Sequence, residues 1–320
     1  MYWKDFALTI RDKICTLRKA HGRTAGGLSI TDTATPTPGH ILVFAAHPDD
    51  ETIGCGMTLF RLGRAGYTID IVFTTDGRGY GWWCNRPSAV RQIIATRMTE
   101  AMAALSVLKV PKERIHFLGY PDAGLHRNMN QALRDIGPMI QRANPRFILV
   151  HGFEGGHVDH DVTSLLVQLA AAQSRQDIPV IEWAEYSRTY HLGDSHPVVF
   201  PAFCECLNPS YAAADTTWQS TKQQALRQYA SQSEPQWAMW QLERFRLAHL
   251  IDTPTLVDHF YPPHSPEGAR YGPVLHRFAN RASHSHDSFR GLTDPSRSWL
   301  IPMLGLATDK ADVPSFPRAP

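Results

Sequence analysis

The sequence predicts an α/β fold: a Rossmann-like three-layer sandwich with a mostly parallel sheet, extended by an N-terminal helix and a C-terminal segment. Two observations predict it. Short apolar runs of buried-strand type alternate with stretches of helical period, which implies right-handed crossovers and helices on both faces of the sheet. Two groups of His and Asp residues, around His47 and His157, come directly after such runs. Ligands of parallel sheets gather at that edge.

In chain order, residues 1–38 read as a helix and linker, with Phe6, Ile10, Ile14 and Leu17 at helical spacing and a Gly-, Thr- and Pro-rich stretch from Thr24 to Gly39. Lys4, Asp5, Arg11 and Asp12 interrupt the apolar positions, so the stretch lacks the apolar core of a signal peptide. A catalytic α/β domain is expected over 39–200. Its predicted strands are 41–45, 69–73, 115–118, 147–150 and 180–183, and its predicted helices are 53–62, 90–107, 131–142 and 160–172. Residues 201–320 read as an extension packed on that domain and shaping its pocket. Within it Thr217–Ser231 and Pro235–Leu250 look helical, whereas Thr253–Pro320 is crowded with Pro, His, Ser and Arg and shows no clear period.

Composition narrows the function classes. At 320 residues, 43% hydrophobic and 19% charged, the chain is an ordinary globular protein. A net charge of +2 without a dense Lys/Arg block excludes a typical nucleic-acid partner. No run approaches twenty apolar residues, so no membrane span is expected. The five cysteines have neither disulfide-framework nor four-Cys zinc spacing, which fits a reducing, cytoplasmic location.

Chemistry concentrates in Ala46-His47-Pro48-Asp49-Asp50-Glu51 and His157-Val158-Asp159-His160. Zinc in hydrolases usually takes three protein ligands from His and carboxylate and leaves a fourth position for water, whose pKa falls to about 7. His47, Asp50 and His160 supply that set, so a metal-dependent hydrolase is the reading. Each motif alone has a plainer account. Asp49 or Asp50 suits the N-cap of a helix near Thr52, and His157-x-x-His160 suits two exposed side chains. A nucleotide site is disfavoured, because the first strand-to-helix turn carries carboxylates where a phosphate cradle needs glycines. Gly77-x-Gly79-x-Gly81 reads as a flexible loop with Trp82 and Trp83 available to stack on a sugar. Cys204-x-Cys206 has no partner pair and reads as two core or surface thiols, His284 and His286 suit either a metal or, more plainly, an exposed loop, and Trp237 with Trp240 at core spacing need no functional account.

The first motif with Gly54, then Thr75-Asp76-Gly77, Arg97-x-x-Glu100, Gly119-Tyr120-Pro121-Asp122 and His157-Val158-Asp159-His160 resemble, in order, the motifs of the PIG-L/LmbE family of zinc-dependent N-acetylglucosamine deacetylases. The resemblance covers about residues 40–190. It implies His47, Asp50 and His160 as zinc ligands, Asp49 as general base and His157 as electrophile, imidazolium or neutral, toward the oxyanion. Asp159 is then an acceptor that fixes a histidine tautomer, or the N-cap of a helix starting at His160. Asp122 polarises His157, or is a turn aspartate. Arg97 points into the sugar pocket, or pairs with Glu100 on a helix surface. Arg78, Trp82, Lys222, Tyr229 and His264 are further pocket candidates.

The resemblance also implies the cofactor and partner: Zn²⁺, with Fe²⁺, Co²⁺ or Ni²⁺ able to take the same donors, and a small-molecule amino-sugar conjugate whose N-acetyl group is hydrolysed. An antibiotic or glycoconjugate precursor is one such conjugate. The opposing reading is a catalytically silent carbohydrate-binding or regulatory protein on the same fold. Oligomeric state stays open. Residues 1–38 and 200–320 have no counterpart in the family pattern, so substrate choice is expected to reside there.

Overall fold

The computed structural model describes residues 38–79, 86–174, 176–185, 210–212, 216–232, 243–247, 253–284 and 306–307. The predicted N-terminal helix, Trp82, Trp83, Cys204, Cys206, Trp237, Trp240 and His286 lie outside the described residues. The first half alternates as expected: β1 (His40–Ala45), α1 (Asp50–Arg64), β2 (Thr68–Thr75), α2 (Pro87–Val107), β3 (Ile115–Tyr120), α3 (Met129–Ala143), β4 (Phe147–His151), α4 (Val158–Gln173) and β5 (Val180–Trp183). These five strands pair in parallel in the order β3-β2-β1-β4-β5. The order reverses between β1 and β4, which opens a crevice at their carboxyl ends.

The strand pleat sends alternate residues to opposite cores. From β1, Ile41, Val43 and Ala45 pack with Leu59 of α1 and Ala104 and Leu105 of α2. Leu42 and Phe44 pack on the other face with Ile136 and Ile140 of α3 and Leu165 of α4. In α3 the buried positions Met129, Ala132, Leu133, Ile136 and Ile140 follow helical spacing and form one stripe. α4 is buried along nearly its whole length, because helices of the C-terminal segment cover the side that α3 leaves open.

That segment joins the same sheet. β6 (Ser210–Ala212), β7 (Arg244–Leu247) and β8 (Leu306–Ala307) extend it antiparallel in the order β5-β7-β6-β8. α5 (Thr216–Leu226) starts one residue before the expected 217–231 helix and ends five residues short of it, with a short 3₁₀ turn at Ala230–Gln232 behind it. The helical reading of Pro235–Leu250 is corrected: its described part is strand β7, which pairs Phe245 with Trp183 and buries Phe245 completely. The stretch without period after Thr253 also contains two helices, α6 (Thr253–Phe260) and α7 (Pro266–His284). Their Val257, Phe260, Leu275 and Phe278 join the core around α4. Among the described residues no helix is long and apolar enough to cross a membrane.

Candidate metal centre

The loop after β1 places the first motif. Asp49 occupies the N-cap position of α1, but only its backbone caps: its carbonyl accepts from Thr52 N at 3.0 Å and Ile53 N at 2.9 Å, and its side chain makes no capping bond. The carboxylate instead lies 3.1 Å from Arg97 Nη2, and the same guanidinium donates to Pro48 O. Asp49 sits at φ 136°, a conformation that costs a non-glycine residue about 1–3 kcal/mol and tends to occur at functional sites. Packing holds it there. A Cβ on Gly77, itself at φ +60°, would come within 2.6 Å of Pro48 Cδ, so glycine lets the β2 loop press against the motif.

Asp50 turns inward. Its Oδ2 accepts from His47 N at 2.7 Å and lies 3.1 Å from His47 Nδ1 and 3.3 Å from His160 Nε2. His160, one turn into α4, brings Nε2 to 3.2 Å from His47 Nδ1. The imidazoles at 47 and 160, 113 residues apart in sequence, therefore meet. These three donors are mutually 3.1–3.3 Å apart. Ligand bonds of about 2.0–2.1 Å around a tetrahedral ion put donors about 3.3 Å apart, so the set fits Zn²⁺ or a similar cation. His47 Nε2, on the ring's other edge, is buried without a hydrogen-bond partner and faces Asp122 Oδ1 at 3.2 Å and Asp159 Oδ2 at 3.6 Å. Carboxylates in that position orient metal-binding histidines.

The remaining predicted residues surround this centre. His157, not Asp159, is the N-cap of α4, which begins at Val158: its Nδ1 accepts from Asp159 N at 3.2 Å, and its ring meets His47 edge-on at 4.7 Å. Asp159 accepts from Ala123 N at 2.6 Å and Leu125 N at 3.2 Å, tying the loop after β3 to α4. Asp122 accepts from Gly79 N at 2.8 Å, lies 3.2 Å from His47 Nε2 and also interacts electrostatically with His157. Arg78 is held by Asp76. Arg97 is buried on Asp49, while Glu100 accepts from Ser231 N and Oγ, so the two do not form a helix-surface pair. Lys222 and Tyr229 are buried and bond to α1 through Ile53 O and Glu51, whereas His264 is exposed between α6 and α7. Sequence reasoning missed His151 and Glu185, which group with Asp50 and His160. Their position at or just after strand ends was the available signal.

Residues 42–171 match the family model described as PIG-L, GlcNAc-PI de-N-acetylase. That segment belongs to the PIG-L family. The 1D-myo-inositol 2-acetamido-2-deoxy-alpha-D-glucopyranoside deacetylase of Mycobacterium sp. (strain KMS) is 27% identical over 181 residues, covering 49% of this chain and 58% of the relative. The chain thus spans less than two thirds of that relative's length. The uncharacterized deacetylase YaiS of Escherichia coli (strain K12) is 29% identical over 157 residues, 47% of this chain and 75% of YaiS. In structure, the N,N'-diacetylchitobiose deacetylase of Pyrococcus horikoshii superposes with a TM-score of 0.52 at 20% identity, covering 68% of this chain and 87% of the other. The two share a fold.

Burial and charge tune the PIG-L segment's titrating groups. Burial pushes Asp49 up to about 7; the Arg97 guanidinium opposes this and the neighbouring Asp50 reinforces it. Burial would also raise Asp50, but His160 and His47 outweigh it and hold its carboxyl well below the usual range. Burial lowers His47, yet Asp122 and Asp50 reverse the direction and raise it. His157 is lowered to about 3 by burial and the nearby His47 and His160, so its ring is neutral at pH 7. With Nδ1 accepting from Asp159 N, the ring proton resides on Nε2. Burial and His151 lower His160 to about 4, which keeps its ring neutral at pH 7, the form that coordinates a cation.

Proposed function

We propose that the protein is a zinc-dependent deacetylase that hydrolyses the N-acetyl group of an N-acetylglucosamine-containing small molecule to the free amine and acetate. One observation carries the reading: His47 Nδ1, Asp50 Oδ2 and His160 Nε2 converge within 3.1–3.3 Å, while the adjacent Asp49 carboxylate points to Arg97. The site thus holds a cation set and a separate proton carrier. The names of the mycobacterial and Pyrococcus relatives, deacetylases of acetamido sugars, support the substrate class.

His47, Asp50 and His160 would hold a zinc ion, which would supply Lewis acidity toward an acetamide carbonyl and toward water. Asp49, unencumbered by side-chain capping, takes the proton of the attacking water. A C–O bond forms, and His157 Nε2–H donates to the developing oxyanion; loss of such a donor costs about 100-fold to 1,000-fold in turnover. The C–N bond then breaks as the proton held by Asp49 passes to the departing amine. Acetate leaves. Arg97 keeps Asp49 oriented throughout.

The test measures metal content and amine release together on a panel of N-acetylglucosaminides. Asp49→Ala should keep the metal and lose about 100-fold to 10,000-fold in turnover, whereas His160→Ala should lose the metal. An Asp49→Ala protein with full activity, or a wild type that frees no amine from any acetamido sugar, refutes the proposal.

A further inference from the structure

Two buried side chains stand idle in that mechanism. His151 closes β4 and Glu185 lies two residues beyond β5, with side chains 1% and 3% exposed. His151 Nε2 accepts from Ala46 N at 2.9 Å, so its lone pair is committed to the residue just before His47. The ring proton therefore resides on Nδ1, which lies 3.1 Å from Glu185 Oε2 without the alignment of a hydrogen bond. The same ring stacks on His160 at 3.9 Å between centroids with 25° between planes. Glu185 Oε2 also accepts from Trp183 Nε1 at 3.2 Å and lies 3.9 Å from His160 Nδ1, whereas Oε1 has no hydrogen-bond partner among the described residues.

One imidazole thus touches both arms of the cation site: the backbone of the β1 loop and the ring of the donor on α4. A buried carboxyl group costs more to desolvate than an apolar side chain of similar size. Its location behind two imidazoles gives it a task. We propose that His151 and Glu185 are positioning residues for the divalent cation. His151, as the neutral Nδ1–H tautomer, locks the His160 ring and the Ala46–His47 backbone in donor geometry, and the Glu185 carboxyl beside Nδ1 backs that ring. The opposite tautomer would set an N–H against the Ala46 N–H and release the loop. The inference rests on the reading of His47, Asp50 and His160 as the cation set. Direct ligation by His151 is the rival: its Nε2 is 3.3 Å from Asp50 Oδ2, and Asp50, His151, His160 and Glu185 are close enough to hold an ion. Such ligation would require release of Ala46 N.

The test uses the full chain with Glu185→Gln, which keeps shape and replaces the carboxyl by an amide, and His151→Phe, which keeps the stacking ring and removes the acceptor. Co²⁺ and Zn²⁺ affinities are measured by chelator competition, together with the visible spectrum of the Co²⁺ form, metal stoichiometry and melting of the metal-free protein. Both variants should bind about 10-fold to 100-fold more weakly, with a shifted Co²⁺ spectrum. Glu185→Gln should leave melting of the metal-free protein unchanged, so if His151→Phe does not fold, Glu185→Gln decides alone. Wild-type affinity and an unchanged spectrum in Glu185→Gln overturn the inference. So does a wild type holding two cations where Glu185→Gln holds one, because the pair would then ligate. A wild type that takes up no Co²⁺ refutes the cation set itself and the inference with it.

Discussion

Two helices deliver the centre, and they are secured in different ways. α4 runs unbroken from Val158, and the acids of its first turn are satisfied by neighbours: Asp159 by Ala123 N and Leu125 N, Asp161 by Glu154 N, Gly155 N and Tyr261 Oη. α1 is interrupted at Cys55, whose φ −145° and ψ 19° are not helical. The break frees buried amides, and Glu243, just before β7, accepts from Met57 N at 2.6 Å and Thr58 N at 2.9 Å. Lys222 of α5 pairs with Glu243 at 3.0 Å and donates to Ile53 O on the other side of the break, while Tyr229 Oη donates to Glu51 Oε1 at 2.6 Å. Gly54 completes the arrangement, since any Cβ there would meet the Trp183 ring at 2.2 Å. The polar groups at the start of α4 are thus met mostly by adjoining loops while α6 and α7 pack on its side, and the break in α1 is braced by chain more than 160 residues away. A defect at Glu243 or Lys222 should reach the proposed cation site through α1.

The sharpest way to break this contrast is Glu243→Ala. It strands the buried Lys222 charge and two amides, so a loss of about 3–5 kcal/mol is expected in denaturant unfolding, accompanied by weaker cation binding. Tyr261→Phe, the counterpart on α4, should cost about 1–3 kcal/mol and leave cation affinity unchanged. Equal effects on affinity would erase the distinction. Next in size is a pH effect. Burial raises Asp161 to about 7 although Tyr261 Oη and the amides of Glu154 and Gly155 oppose the shift. A raised folded-state value means that the folded chain holds the proton more tightly than the unfolded chain, whose Asp titrates near 3.9. This contribution to stability is full below about pH 4 and is lost as pH rises through about 7. Denaturation midpoints should fall over that window, and Asp161→Asn should flatten that part of the profile. The smallest effect is expected at Glu100→Ala on the exposed Ser231 contact, within about 0.5 kcal/mol in the same assay.

The alternating half was legible because fully buried strands leave continuous apolar runs and because His47, Asp50 and His160 occur in compact motifs. The bracing was not. Arg244–Leu247 is only four residues long and gains its strand identity from pairing with β5, which no local period records. In α7, Pro266 opens the helix and Pro273 lies inside it, so proline density read as loop although Leu275, Phe278 and Ala279 form its buried face. His151 and Glu185 are single residues at strand ends with no companion nearby in sequence, and only the sheet order brings them to His160. Lys222 and Glu243 were invisible as a pair because what they satisfy is a helix break at Cys55 that the sequence does not announce.

The left-handed backbone of Asp49 sets fold against turnover at a single position. Glycine alone tolerates that φ without strain, so Asp49→Gly would relax the chain and remove the proposed proton carrier in one step. Random variation screened for thermal resilience alone would therefore favour glycine at residue 49, where the proposed reaction needs a carboxylate.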